Sequence, residues 1–101
     1  MEKRKSHYNL EEVKSFILQG NYQITKVASR NAEKDFSLLP DEIIEIIDTL
    51  ENIDLYKSMT VNENNKLWQD VYHKAIINKG TAYIKLQILD NESVIIQFKR
   101  K

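Results

Sequence analysis

The strongest constraint on this chain lies in residues 81–101. "TAYIKLQIL" (81–89) and "SVIIQFKRK" (93–101) alternate apolar and polar side chains on either side of Asp90-Asn91-Glu92. Side chains alternate along a strand, so Ala82, Ile84, Leu86 and Ile88 share one face. Val94, Ile96 and Phe98 form the matching apolar set on the second run. Residues directly opposite each other point the same way. Pairing Ile84 with Phe98 sets Ile88 against Val94 and leaves a three-residue loop, an allowed hairpin length. The other face then carries Tyr83, Lys85 and Gln87 beside Ile95, Gln97 and Lys99, with Tyr83 opposite Lys99. A phenol beside an ammonium on the non-core face is a candidate site, and it is equally an ordinary cross-strand pair. A bulge would change this register.

Two more strands precede that hairpin. "DLYKSMT" (54–60) and "LWQDVYHKAII" (67–77) flank the polar loop "VNENNK". The N-terminal half reads as helical instead. Asn9 followed by Glu12 resembles a capping box, Leu10, Val13 and Ile17 recur at helical spacing, and Gly20 suits the stop. "NYQI" (21–24) has room for a brief strand, and Thr25 can cap a second helix through about Glu33. "LPDEIIEIIDTL" is the clearest helix. Pro40 suits its first turn, Asp41 and Glu42 suit its positive end, and Ile43, Ile44, Ile47 and Leu50 form an apolar stripe widened by Ile46. Helices followed by an antiparallel meander predict an α+β architecture, with N-terminal helices covering a C-terminal sheet, in one domain spanning residues 1–101.

Composition removes several functions. There is no cysteine, so disulfides and thiolate metal sites are out and a reducing cytoplasm is compatible. The start "MEKRKSHYNLEE" reads as neither a signal peptide nor a membrane span. Two glycines and one proline cannot build a Gly-rich phosphate loop. The net charge is zero, yet it is segregated: +3 over residues 1–30, −7 over 31–56 and +4 over 57–101. The basic C-terminal part can present a local field to phosphate, whereas the acidic helix most simply solvates itself. His7 and His73 are far apart and lack a carboxylate at ligand spacing, so no metal site or hydrolase triad is indicated. Each reads as a surface or cap residue, and Trp68 and Tyr72 read as packing.

What remains is lysine, glutamine and tyrosine on a sheet, with basic residues at the C-terminus. That set suits phosphate chemistry without a metal. RNA brings its own nucleophile, the 2′-hydroxyl, and a protein need only orient it, neutralise developing charge and protonate the leaving 5′-oxygen.

"MEKR" with His7, "YKSMT" (56–60), "WQDVY" (68–72), "YIK" (83–85) and "FKRK" (98–101) resemble the MqsR family. Its members are toxins of type II toxin–antitoxin systems with a fold like the RelE ribonucleases. The resemblance runs nearly end to end and is strongest from Asp54 onward. It implies a cofactor-free mRNA interferase cutting at short GC-containing sites, typically GCU, and a cognate MqsA-like antitoxin. It also implies Lys57, Gln69, Tyr83 and Lys99 as catalytic residues, while Lys85, Arg100 and Lys101 are expected to contact RNA. This chain departs from the family pattern at Leu55, where an aromatic residue stands, and at His73-Lys74, where Arg-Pro stands. Residues 28–53 match poorly.

On this reading Lys57 or Lys99 stabilises the phosphorane. The other acts as base if like-charge proximity lowers its pKa. Tyr83 protonates the leaving oxygen or stacks on a base, and Gln69 orients phosphate or reads a base edge. The competing reading is a non-catalytic RNA-binding or protein-interaction module.

Overall fold

The computed structural model describes residues 1–61 and 64–101. Six strands form one sheet in the order β1-β3-β4-β5-β6-β2. They are β1 (Glu2–Lys3), β2 (Tyr22–Ile24), β3 (Leu55–Val61), β4 (Asn64–Ile76), β5 (Gly80–Leu89) and β6 (Glu92–Arg100). The helices are α1 (Leu10–Leu18), α2 (Lys26–Phe36) and α3 (Pro40–Asp48). The chain is therefore α+β as expected, with the helices packed over a largely antiparallel sheet. Part of the anticipated "VNENNK" loop lies outside the described residues, and β4 already begins at Asn64.

Each helix starts where local chemistry directs. Asn9 accepts a hydrogen bond from the Glu12 N–H, and Thr25 accepts one from the Ala28 N–H. Gly20, at φ 81°, ends α1 in a Schellman motif: its N–H donates to the Ile17 carbonyl, and the Asn21 N–H donates to Phe16. Helix α2 runs three residues beyond the expected Glu33, to Phe36. Phe36 is buried, with its ring edge-on to Phe98 at 5.9 Å, so packing extends the helix by a turn. Ser37 then closes it in the left-handed region.

The core lies between the helices and one face of the sheet. Val13, Ala32, Ile43 and Ile47 meet Tyr72, Ile84, Leu86, Ile95 and Phe98 there, all nearly or fully buried. The expected stripe of α3 is the buried one, and Asp41, Glu45 and Asp48 stay exposed. Strand β2 pairs in parallel with β6, through Tyr22–Ser93 to Ile24–Ile95. Strand β1 pairs antiparallel with β3. The sheet thus has an edge on each side drawn from the N-terminal part, which the expected four-stranded meander lacks.

The last hairpin corrects the anticipated register on one side only. Ile84 faces Phe98 and Tyr83 faces Lys99, as expected. A bulge between Lys85 and Leu86 on the β5 side absorbs one extra β6 residue, so Ile88 faces Ser93 rather than Val94. The turn is two residues, Asp90 and Asn91, with φ 52° and 60°, as a type I′ hairpin requires. Beyond the bulge, Ser93 and Ile95 turn inward and Val94 turns outward. The bulge leaves the Tyr83–Lys99 pair intact.

A buried carboxylate ties the N-terminal segment to the sheet. Asp70 is 1% exposed and accepts from the N–H groups of His7 and Tyr8 at 2.9–3.1 Å. The Tyr8 hydroxyl donates to the Trp68 carbonyl at 2.8 Å. Replacing Asp70 with alanine strands these donors, at a cost of about 2–3 kcal/mol. Urea unfolding of Asp70→Ala is expected to show that loss, and a loss below about 1 kcal/mol would contradict it.

Candidate active site

The open face of the sheet is a grid set by strand register. One row runs His73 on β4, Tyr83 on β5 and Lys99 on β6. The next runs Lys57 on β3, Val71, Lys85 and Gln97. A third brings Glu2 and Met59 beside Gln69, whose amide donates to Gln87 at 3.2 Å. Val71 is completely buried, flanked in register by Lys57 and Lys85. The four residues expected to be catalytic therefore share one face of three adjacent rows.

Tyr83 is the hub. The ammonium of Lys99 lies 5.2 Å from its ring centroid and that of Lys85 lies 5.8 Å away. The His73 ring is centred 6.0 Å away, and stacks on Tyr56 at 4.3 Å. Burial pushes the Tyr83 phenol above its ordinary value, although nearby Lys57 opposes this. Tyr83 therefore keeps its proton at neutral pH and is equipped to donate it.

The lysines are unlike one another. Lys57 forms an ion pair with Glu2 at 2.5 Å, and that hydrogen bond raises its pKa. Lys85 is half-buried; desolvation lowers its pKa, and the charges of Lys99 and Lys57 lower it further. Like-charge proximity of the kind anticipated for Lys57 lowers Lys85 instead, because Glu2 compensates at Lys57. Lys99 is exposed.

The C-terminal basic residues divide. Arg100 turns to the helix side, where its guanidinium donates to the carbonyls of Asp35 and Lys79 at 2.7 and 2.5 Å and lies 5.0 Å from the Phe36 ring centroid. It caps the negative end of α2. Lys101 stays exposed and raises the local positive potential at His73. Sequence reasoning had left Glu2, Tyr56, Gln87 and His73 out of the site. The alternation around Gln87 was readable, whereas Glu2 reaches Lys57 only through a pairing across 55 residues. His7, in contrast, stacks on Trp68 at 5.3 Å, away from the grid. Tyr72 packs in the core as anticipated.

Among the described residues, no three His, Cys, Asp or Glu side chains gather to hold a metal ion. No helix there is long and apolar enough to cross a membrane.

A family model described as motility quorum-sensing regulator, toxin of MqsA, matches residues 5–100. The chain belongs to the MqsR toxin family. Over all 101 residues, and over the whole of the relative, it is 35% identical to the mRNA interferase toxin MqsR of Escherichia coli strain K12. MqsR-family membership accords with the RelE-like arrangement of helices over an antiparallel sheet. It places the chain among the toxins of toxin–antitoxin systems, and the lysine-rich grid lies within the matched residues.

The contrast between two lysines is directly measurable. In a titration followed by NMR of the lysine side chains, Lys85 is expected to lose its proton below the ordinary 10.5 and Lys57 above it. The reverse order would contradict the roles of burial and of Glu2.

Proposed function

We propose that this toxin is an mRNA endoribonuclease that works without a metal, cutting at GC-containing sites, typically GCU, and so halting translation and growth in the cytoplasm. The observation that carries the reading is the bracketing of Tyr83 by the ammonium groups of Lys85 and Lys99 on the open face, with Lys57 in the adjoining row. A cation-rich sheet face with one partly buried phenol matches what RNA self-cleavage needs. The ribose 2′-oxygen attacks the adjacent phosphorus, the bond to the 5′-oxygen breaks, and the products are a 2′,3′-cyclic phosphate and a 5′-hydroxyl.

Each residue takes a role suited to its protonation. Lys57, held as a cation by Glu2, and Lys99 stabilise the extra charge on the pentacoordinate phosphorus. Tyr83 donates its proton to the departing 5′-oxygen. Lys85 adds charge from within the grid, and Gln69 with Gln87 presents an amide pair to phosphate or a base edge. Arg100, occupied by α2, contributes by holding β6 in place, while Lys101 offers a phosphate contact. The cognate antitoxin, an MqsA-like protein, neutralises the toxin by binding it.

The test is a labelled RNA containing GCU sites, incubated with purified protein in excess EDTA and without ribosomes, with analysis of the product ends. Site-specific cuts with cyclic-phosphate ends are expected. Tyr83→Phe, Lys57→Ala and Lys99→Ala are each expected to slow cleavage by about a hundredfold or more while remaining folded. Salt-sensitive binding that leaves the RNA intact, also on translating ribosomes, would point to a non-catalytic module. Full activity in both Tyr83→Phe and Lys99→Ala would overturn the assignments.

A further inference from the structure

We infer that His73 is a further catalytic residue of this site, the general base that takes the proton from the ribose 2′-hydroxyl. The inference rests on the ribonuclease reading above and deepens it by naming the group which that reading leaves open.

The geometry supplies the argument. His73 stands in the same row as Tyr83 and Lys99, one strand away from the phenol, on the open face of β4. Its ring stacks flat on Tyr56, with 18° between the planes, so its orientation is held without using its nitrogens. No hydrogen bond to either ring nitrogen occurs among the described residues, and the residue is partly exposed. A partly exposed imidazole with both nitrogens available, fixed by stacking beside a proton donor, suits proton transfer. Purely structural histidines spend a nitrogen on a carbonyl or carboxylate.

The surroundings favour the neutral, proton-accepting form. Tyr56 of β3 stacks on it and Tyr83 of β5 lies beside it; Lys57 and Lys85 stand in the adjoining row, Lys99 lies beyond Tyr83, and the charge of Lys101 reaches it. Burial lowers its pKa from the ordinary 6.5, and the charge of Lys101 lowers it further. Lys57 cannot serve as well, because the ion pair with Glu2 favours its protonated form.

The balance of the step is complete. Neutral His73 accepts the 2′-hydroxyl proton as the 2′-oxygen bonds to phosphorus. The bond from phosphorus to the 5′-oxygen breaks, and Tyr83 protonates that oxygen. Proton return from the imidazolium to the tyrosinate, directly or through water, restores the starting state. No further reactant is needed.

The experiment compares wild type, His73→Gln and His73→Asn on labelled GCU-containing RNA in EDTA, at saturating RNA, from pH 5 to 8. RNA binding and thermal unfolding are measured in parallel. Wild type is expected to rise with pH along a limb whose midpoint lies below 6.5, because the neutral base is the active form. Both variants are expected to lose that limb and fall about a hundredfold or more in rate, with RNA affinity changed by less than about threefold. If wild type cleaves and either folded variant keeps its rate within about threefold with the limb intact, His73 is not the base and the ribonuclease reading stands. If wild type cleaves nothing on free RNA or on ribosomes, the ribonuclease reading itself fails and this inference falls with it.

Discussion

Burial of one face of the sheet under three helices is the constraint from which the rest follows. Ile84, Leu86, Ile95 and Phe98 must face the helices, because burying each such side chain contributes about 1.5–3 kcal/mol. The period of two along each strand then leaves no choice for their neighbours. Tyr83, Lys85 and Lys99 are pushed to the open side whatever chemistry they do there. Apolar packing thus aims the polar grid. A slip of one residue would bury lysines and expose the core together, which makes the alignment of the site as robust as the fold.

The open face is nevertheless not a flat charged surface. Val71 is fully buried beneath it, and the lysines on either side differ in how freely they hold their protons. Glu2 strengthens the hold of one ammonium on its proton, while burial weakens that of the other. A grid in which cation, phenol and imidazole occupy set positions can separate charge stabilisation from proton transfer. Three interchangeable lysines would compete for both.

Much of this was legible in the residues themselves. The caps at Asn9 and Thr25, the stripe of α3 and the Ile84–Phe98 pairing all depend on local chemistry or short-range periodicity. The Tyr83–Lys99 pair followed from the same alternation, and family motifs supplied Lys57 and Gln69. Illegible were features set by distant parts of the chain. Asp90 and Asn91 form a two-residue turn only because Ile96 is absorbed in a bulge, and the alternation of Val94, Ile96 and Phe98 gave no hint of that break. The β1 and β2 edges are too short to show a period. The Glu2–Lys57 pair and the Tyr56–His73 stack exist only once those strands have docked, so His73 read as an ordinary surface residue.

The sheet order has a consequence for the chain as it is made. Glu2 cannot meet Lys57 until β3 exists, and β2 has no partner until residues 93–95 of β6 arrive. Lys99, which flanks Tyr83, comes later still. Contacts this distant in sequence pay their loop-closure entropy before they gain any packing. The grid is therefore complete only once β6 has joined the sheet. A chain still lacking β6 has Tyr83 without Lys99 beside it, and so has no finished grid.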